Sequence, residues 1–102
     1  MQKVIKGKMY NTETSCYLGS EQYGYPRDFS YYYERLYRTK KGTFFLHGEG
    51  GGMSKYRCRC LNGSWASGED IIVLDEDEAR EWVERNLSAE EYECIFGPIE
   101  EG

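Results

Sequence analysis

One histidine, two prolines and few Ile, Leu or Val residues restrict both the chemistry and the core open to this 102-residue chain. With His47 alone, there is no histidine pair for a metal or acid–base constellation, and no motif sets a serine or cysteine on a strained turn beside it. The expectation is a protein that is not an enzyme and carries no cofactor. No apolar run approaches the roughly 20 residues of a membrane span. The start, Met1-Gln2-Lys3-Val4-Ile5-Lys6-Gly7, is charged beyond its short apolar pair and does not read as a signal peptide. Together these absences predict no membrane partner and a cytoplasmic location. In such a compartment Cys16, Cys58, Cys60 and Cys94 are expected to be free thiols. Cys58-x-Cys60 lacks the two-residue spacer of a redox pair or zinc knuckle, and the Asp75-Glu76-Asp77-Glu78 run lacks the interspersed small residues of a calcium loop, so no metal site is expected.

Aromatic residues supply what the aliphatics do not. Ten Tyr and two Trp bury large areas when packed, and a chain of this length supports one domain spanning 1–102. Charge is distributed unevenly. Met1 to Gly68 carries eleven Lys/Arg against five Asp/Glu, a net of +6, whereas Glu69 to Gly102 carries two against thirteen, a net of −11; together they make the overall −5. A molecule so divided is suited to steering onto a charged partner.

The strongest strand signal is a hairpin built from Tyr31-Tyr32-Tyr33-Glu34-Arg35-Leu36-Tyr37-Arg38 and Phe44-Phe45-Leu46-His47, joined by Thr39-Lys40-Lys41-Gly42, where Gly42 offers positive φ. Period-two alternation places Tyr32, Glu34, Leu36 and Arg38 on one face and Tyr31, Tyr33, Arg35 and Tyr37 on the other. If Leu36 meets Phe44 or Leu46, its face carries the core. Upstream, the segment from Lys3 to Tyr17 reads as short strands turning at Lys6-Gly7-Lys8, with Asn11-Thr12 or Gly19-Ser20 as a further turn, and Gly24-Tyr25-Pro26-Arg27-Asp28 as a loop. Gly48-Glu49-Gly50-Gly51-Gly52 reads as a flexible connection; it lacks the Gly-Lys-Ser/Thr of a phosphate loop. Trp65 is expected to anchor its turn-rich segment in the core, and Glu69 to Leu74 to form a strand buried on both faces.

Two helices are legible at the end of the chain. Asp75 and Glu78 form a capping box, with Leu74 and Ala79 at the staple positions, and predict a helix from about Glu76 to Arg85 with Ala79, Trp82 and Val83 inward. Ser88 and Glu91 repeat the box, Tyr92, Ile95 and Phe96 face inward, and Gly97-Pro98 ends the second helix. The fold class is therefore α+β: an antiparallel sheet of about four to six short strands with two short C-terminal helices.

Two surfaces are candidates for binding. The first is the acidic helical face of Glu76, Asp77, Glu81, Glu84 and Glu90, suited to a basic channel. The second is the hairpin, where Tyr31, Tyr33, Arg35, Tyr37, Arg38 and Lys40 combine flat rings with cations, as a nucleic-acid surface does. A third and weaker reading places an enzyme around His47 and the glycine run. The runs Ile5-Lys6-Gly7-Lys8-Met9-Tyr10-Asn11-Thr12-Glu13-Thr14, Leu36-Tyr37-Arg38-Thr39-Lys40-Lys41-Gly42, His47-Gly48-Glu49-Gly50-Gly51, Ser54-Lys55-Tyr56 and Gly68-Glu69-Asp70-Ile71-Ile72 resemble a family of small proteins from phages and other mobile elements of gut bacteria. The resemblance covers nearly the whole chain; Gly52 and the basic Arg57-Cys58-Arg59-Cys60 depart from the family's pattern. Proteins of this size and origin include inhibitors of RNA-guided CRISPR nucleases. The resemblance thus implies an anti-CRISPR type of protein that binds a host DNA-targeting nuclease, with a nucleic-acid-binding accessory protein of a mobile element as the alternative.

Overall fold

The computed structural model describes every residue, Met1–Gly102. Its centre is an antiparallel four-stranded sheet in the order β3-β4-β5-β8, formed by β3 (Cys16–Tyr23), β4 (Tyr32–Arg38), β5 (Phe44–Gly50) and β8 (Gly68–Leu74). A separate ribbon pairs β1 (Gln2–Ile5) with β2 (Lys8–Asn11), and a short one pairs β6 (Cys58–Arg59) with β7 (Trp65–Ala66). Two helices, α1 (Glu76–Asn86) and α2 (Ala89–Phe96), follow the last strand. This is an α+β fold whose principal sheet has four strands.

The hairpin β4–β5 occupies the middle of that sheet, as its composition leads one to expect. Thr39 and Thr43 close the turn through a backbone hydrogen bond of 2.9 Å, and Gly42 takes a φ of 90°, a conformation costly for any residue with a Cβ. Leu36 stands opposite Leu46, so the face predicted to carry the core does so. There Leu36, Phe44, Leu46 and Leu74 pack against Ala79, Trp82 and Val83 of α1, with Leu87, Tyr92, Ile95 and Phe96 closing the layer. Both helices carry the capping boxes read from the sequence, and Gly97, at a φ of 96°, ends the second.

The opposite face is also covered at one end. Phe45 is fully buried beneath Tyr10 of β2, with Ile71 beside it and Tyr37 stacked on it at 5.3 Å between ring centroids. The β1–β2 ribbon thus serves as a second, smaller lid, and the aromatic content makes up for scarce aliphatics on both sides of the sheet.

Four sequence expectations are corrected. Gly48, Glu49 and Gly50 belong to β5 and not to a loop. Their glycines serve close approach: a Cβ on Gly48 would lie 1.8 Å from the Tyr56 ring, and one on Gly50 2.3 Å from the Ser54 hydroxyl. Of the two upstream turns, the chain takes the one that follows Asn11, whereas Gly19 and Ser20 lie inside β3, paired with Leu36 and Arg35 of β4; Leu87 fills the space a side chain on Gly19 would need. Strand β8 is an edge strand with Ile71 and Leu74 buried but Ile72 exposed, since no neighbour continues the sheet beyond it. Trp65 is half exposed and not a core anchor; its indole lies under the guanidinium groups of Arg57 and Arg59, at 4.6 and 5.5 Å.

Trp82 joins α1 to the sheet and is almost wholly buried. Trp82→Ala is expected to lower stability by about 3–5 kcal/mol in urea unfolding, the usual range for deleting a buried aromatic. A loss below about 1 kcal/mol would mean that the helical layer is held by other contacts.

Candidate partner-binding surfaces

The polar residues of α1, α2 and their caps fall into three groups. Asp75, Glu78, Ser88 and Glu91 are spent on caps, each box satisfying backbone N–H groups that a helix start leaves without partners. Glu76 pairs with Arg80 at 3.0 Å along the helix, and hydrogen bonds to the Tyr92 hydroxyl and to Glu76 hold the Arg80 guanidinium above its usual pKa. Asp77, Glu81, Glu84, Glu90 and Glu93 are exposed and have no ion-pair partner. Glu81 and Glu84 share a shallow depression with Arg85. The helical layer therefore presents uncompensated negative charge to solvent, while Glu76, one of the five predicted acidic residues, is partly neutralised.

The hairpin residues do not form one patch. On the face away from the helices, the Arg35 guanidinium lies 4.3 Å above the Tyr33 ring and 3.8 Å from the Glu49 carboxylate. Tyr37 is occupied by Phe45 and by an edge contact with Tyr17. Arg38 points to the helical side, donating to the Ile95 carbonyl at 3.2 Å, where it binds the last turn of α2. Lys40 sits at the hairpin turn and lines a cleft of about 390 Å³ with Lys8, Lys41, Thr14 and Thr39, a cationic grouping in which Lys8 was not foreseen from the sequence. Tyr31 lines a different cleft of about 420 Å³, at the other end of β5, with Pro26, Gly51, Glu49 and Glu69.

His47 lies on the same face as Arg35, its Nε2 2.9 Å from the Glu69 carboxylate. Ser54 belongs to the opposite side of the sheet, over Gly50, where its hydroxyl donates to the Gly51 carbonyl at 2.7 Å. These two residues are thus not brought together as base and nucleophile. The four cysteines are free and exposed, and no group of three or more His, Cys, Asp or Glu side chains is close enough to hold a metal ion.

One polar cluster escaped sequence reading. Glu34 is 2% exposed among apolar side chains on the helical face of β4. One carboxylate oxygen accepts from Trp82 Nε1 at 3.1 Å; the other accepts from the Tyr56 hydroxyl and from Lys55 Nζ, the latter at 2.6 Å. No buried side-chain polar atom is left without a partner. Burial, and then the hydrogen bond to Glu34, push the Tyr56 hydroxyl well above the ordinary phenol range. The available signal was a charged residue at an apolar-face position, between Tyr32 and Leu36.

Comparison with protein-family models, with curated proteins and with solved structures finds no match. No helix is long and apolar enough to cross a membrane.

The Tyr56 arrangement has a pH signature. In the unfolded chain the phenol ionises near its ordinary value of about 10, while in the folded chain it stays protonated to higher pH. Above that value the unfolded chain binds fewer protons than the native one, so stability falls as pH rises. Urea midpoints measured from pH 8 upward should fall less steeply above about pH 10 in Tyr56→Phe than in the wild type; other titrating groups are common to both proteins. Parallel curves would contradict the assignment. At neutral pH the same substitution should cost about 1.5–3 kcal/mol, the range for a hydrogen bond to a charged group.

Proposed function

We propose that this protein is a non-enzymatic inhibitor of the anti-CRISPR type, which seats its acidic helical layer in the basic nucleic-acid channel of a host DNA-targeting nuclease. The observation that carries this reading is the set of exposed carboxylates without ion-pair partners on α1 and α2: Asp77, Glu81, Glu84, Glu90 and Glu93. A surface of one sign raises the encounter rate with an oppositely charged channel and disfavours wrong partners by like-charge repulsion. The layer is backed by the largest apolar cluster of the fold, so its carboxylates are held on a rigid support. The resemblance to small mobile-element proteins supplies the class of partner, and the site of action in this reading is the bacterial cytoplasm.

The rival reading, nucleic-acid binding through the β4–β5 hairpin, draws on Arg35 over Tyr33, a cation and an aromatic ring side by side. It has less surface to work with, because Arg38 is held by the Ile95 carbonyl and Tyr37 by Phe45. A pull-down from a bacterial host lysate, followed by binding measurements on the captured nuclease, separates the two. Glu81→Lys with Glu84→Lys should weaken that binding on the order of 100-fold, since like charges placed together cost several kcal/mol. Arg35→Ala with Lys40→Ala should leave it unchanged. Both pairs lie on the surface, and circular dichroism should report an intact fold. If no nuclease is captured, or if the charge reversals leave binding unaltered, the proposal fails.

A further inference from the structure

The segment between Glu49 and Glu69 contains no acidic residue and carries Lys55, Arg57 and Arg59, although the chain as a whole is acidic. Within it, β6 and β7 form a ribbon that leaves the sheet where β5 ends and β8 begins. Trp65 of β7 stands opposite Arg59 of β6, and the Arg57 and Arg59 guanidinium groups lie 4.6 and 5.5 Å from its ring. The indole nevertheless remains 50% exposed. Neither arginine has a carboxylate partner; Arg57 only reaches the Ser54 carbonyl, at 3.4 Å.

More exposed apolar surface adjoins the ribbon. Met53, 72% exposed, is tied through its backbone N–H to the Phe29 carbonyl at 2.8 Å, and Phe29 is 73% exposed. Gly52 lies against the Trp65 backbone, so close that a Cβ there would meet the Trp65 carbonyl oxygen at 3.2 Å. The segments that carry Phe29, Met53 and Trp65 thus meet through their backbones at one end of the molecule.

We propose that this end of the molecule, centred on Trp65 with Arg57 and Arg59, binds single-stranded nucleic acid, stacking bases on the indole and guanidinium planes and neutralising phosphates with the arginines. Flat conjugated groups beside cations match a single strand, which alternates bases and phosphates, and stacking on such platforms tolerates any base sequence. The acidic first turn of α1 does not oppose this. Its Glu76 and Asp77 follow Leu74 at the opposite end of β8 from the ribbon, and charges separated by more than about 8 Å of solvent are largely screened at physiological salt. Glu49 and Glu69, which flank the segment in sequence, are engaged by Arg35 and His47 on the face away from the helices. The inference is independent of the proposed inhibition, since it uses none of the carboxylates invoked there.

The test is fluorescence anisotropy of labelled oligothymidylate and oligouridylate of about 15 nucleotides, a length within the range such platforms cover. Titrations at about 50 mM and about 200 mM salt should give a slope of log K against log salt near −1.4, as expected for two phosphate contacts on a single strand. Arg57→Ala with Arg59→Ala should weaken binding and bring the slope toward zero. Trp65→Ala should weaken it about 5- to 150-fold, the range for losing one stacked base, and Trp65→Phe should retain most of the affinity. Because the ribbon lies outside both apolar clusters, urea unfolding should show these variants to be as stable as the wild type. Three results would overturn the proposal: no binding at the lower salt, equal binding in all ribbon variants, or binding to polyglutamate as strong as to the oligonucleotides. The last would assign the surface to an acidic protein partner.

Discussion

The carboxylate of Glu34 is the point on which the three parts of the fold converge. It sits on the central strand β4, accepts from Trp82 of α1, and accepts from Tyr56 and Lys55 of the segment that follows β5. Removing a charge from water costs several kcal/mol, and only good geometry with full hydrogen bonding offsets that cost. Both conditions are met: two neutral donors and one ammonium group surround it, and no buried polar side-chain atom is left unpaired. Such a cluster need not add net stability over an apolar replacement. Its value is directional, because a misplaced helix or a shifted 51–57 segment would leave a buried charge without partners. The glycines of β5 follow from the same constraint: Tyr56 reaches Glu34 only by laying its ring where Gly48 has no side chain.

With the sheet and α1 locked in this way, the charged parts of the chain are kept apart. The helices carry their unpaired carboxylates outward from an apolar layer, whereas the lysines of the hairpin turn and the arginines of the β6–β7 ribbon lie at opposite ends of the sheet. A protein with charges arranged like this can meet partners of both signs on separate surfaces. The proposed inhibitory surface on the helical layer and the proposed single-strand surface on the ribbon use that separation.

Features that depend on neighbours in sequence were legible. Both helices announce themselves through Asp75 with Glu78 and Ser88 with Glu91, whose spacing is local and unambiguous, and the central hairpin through alternation around Thr39 to Gly42. Features that depend on tertiary contact were not. Glycines at 48 and 50 look like loop formers unless the ring and hydroxyl packed against them are known, and Gly19 looks like a turn until Leu87 is placed beside it. Trp65 reads as a core residue because tryptophan usually is one; here the ribbon offers it only arginine side chains as cover. Among the candidate binding residues, the exposure of the helical carboxylates could be read from helical periodicity, and the placement of Arg38 opposite Arg35 from strand alternation. The engagement of Arg38 by the end of α2 could not, since nothing local links Arg38 to Ile95.

The claim that Glu34 joins these parts is tested most directly by a double-mutant cycle between Glu34→Gln and Trp82→Phe, read by urea unfolding. Residues in one buried hydrogen-bonded network show coupling energies of about 0.5–3 kcal/mol, whereas independent sites add within about 0.3–0.5 kcal/mol. The expected coupling is at least about 1 kcal/mol, because Trp82 donates directly to the Glu34 carboxylate across the interface between helix and sheet. Additive effects would contradict it, and would leave α1 held to the sheet by apolar packing alone.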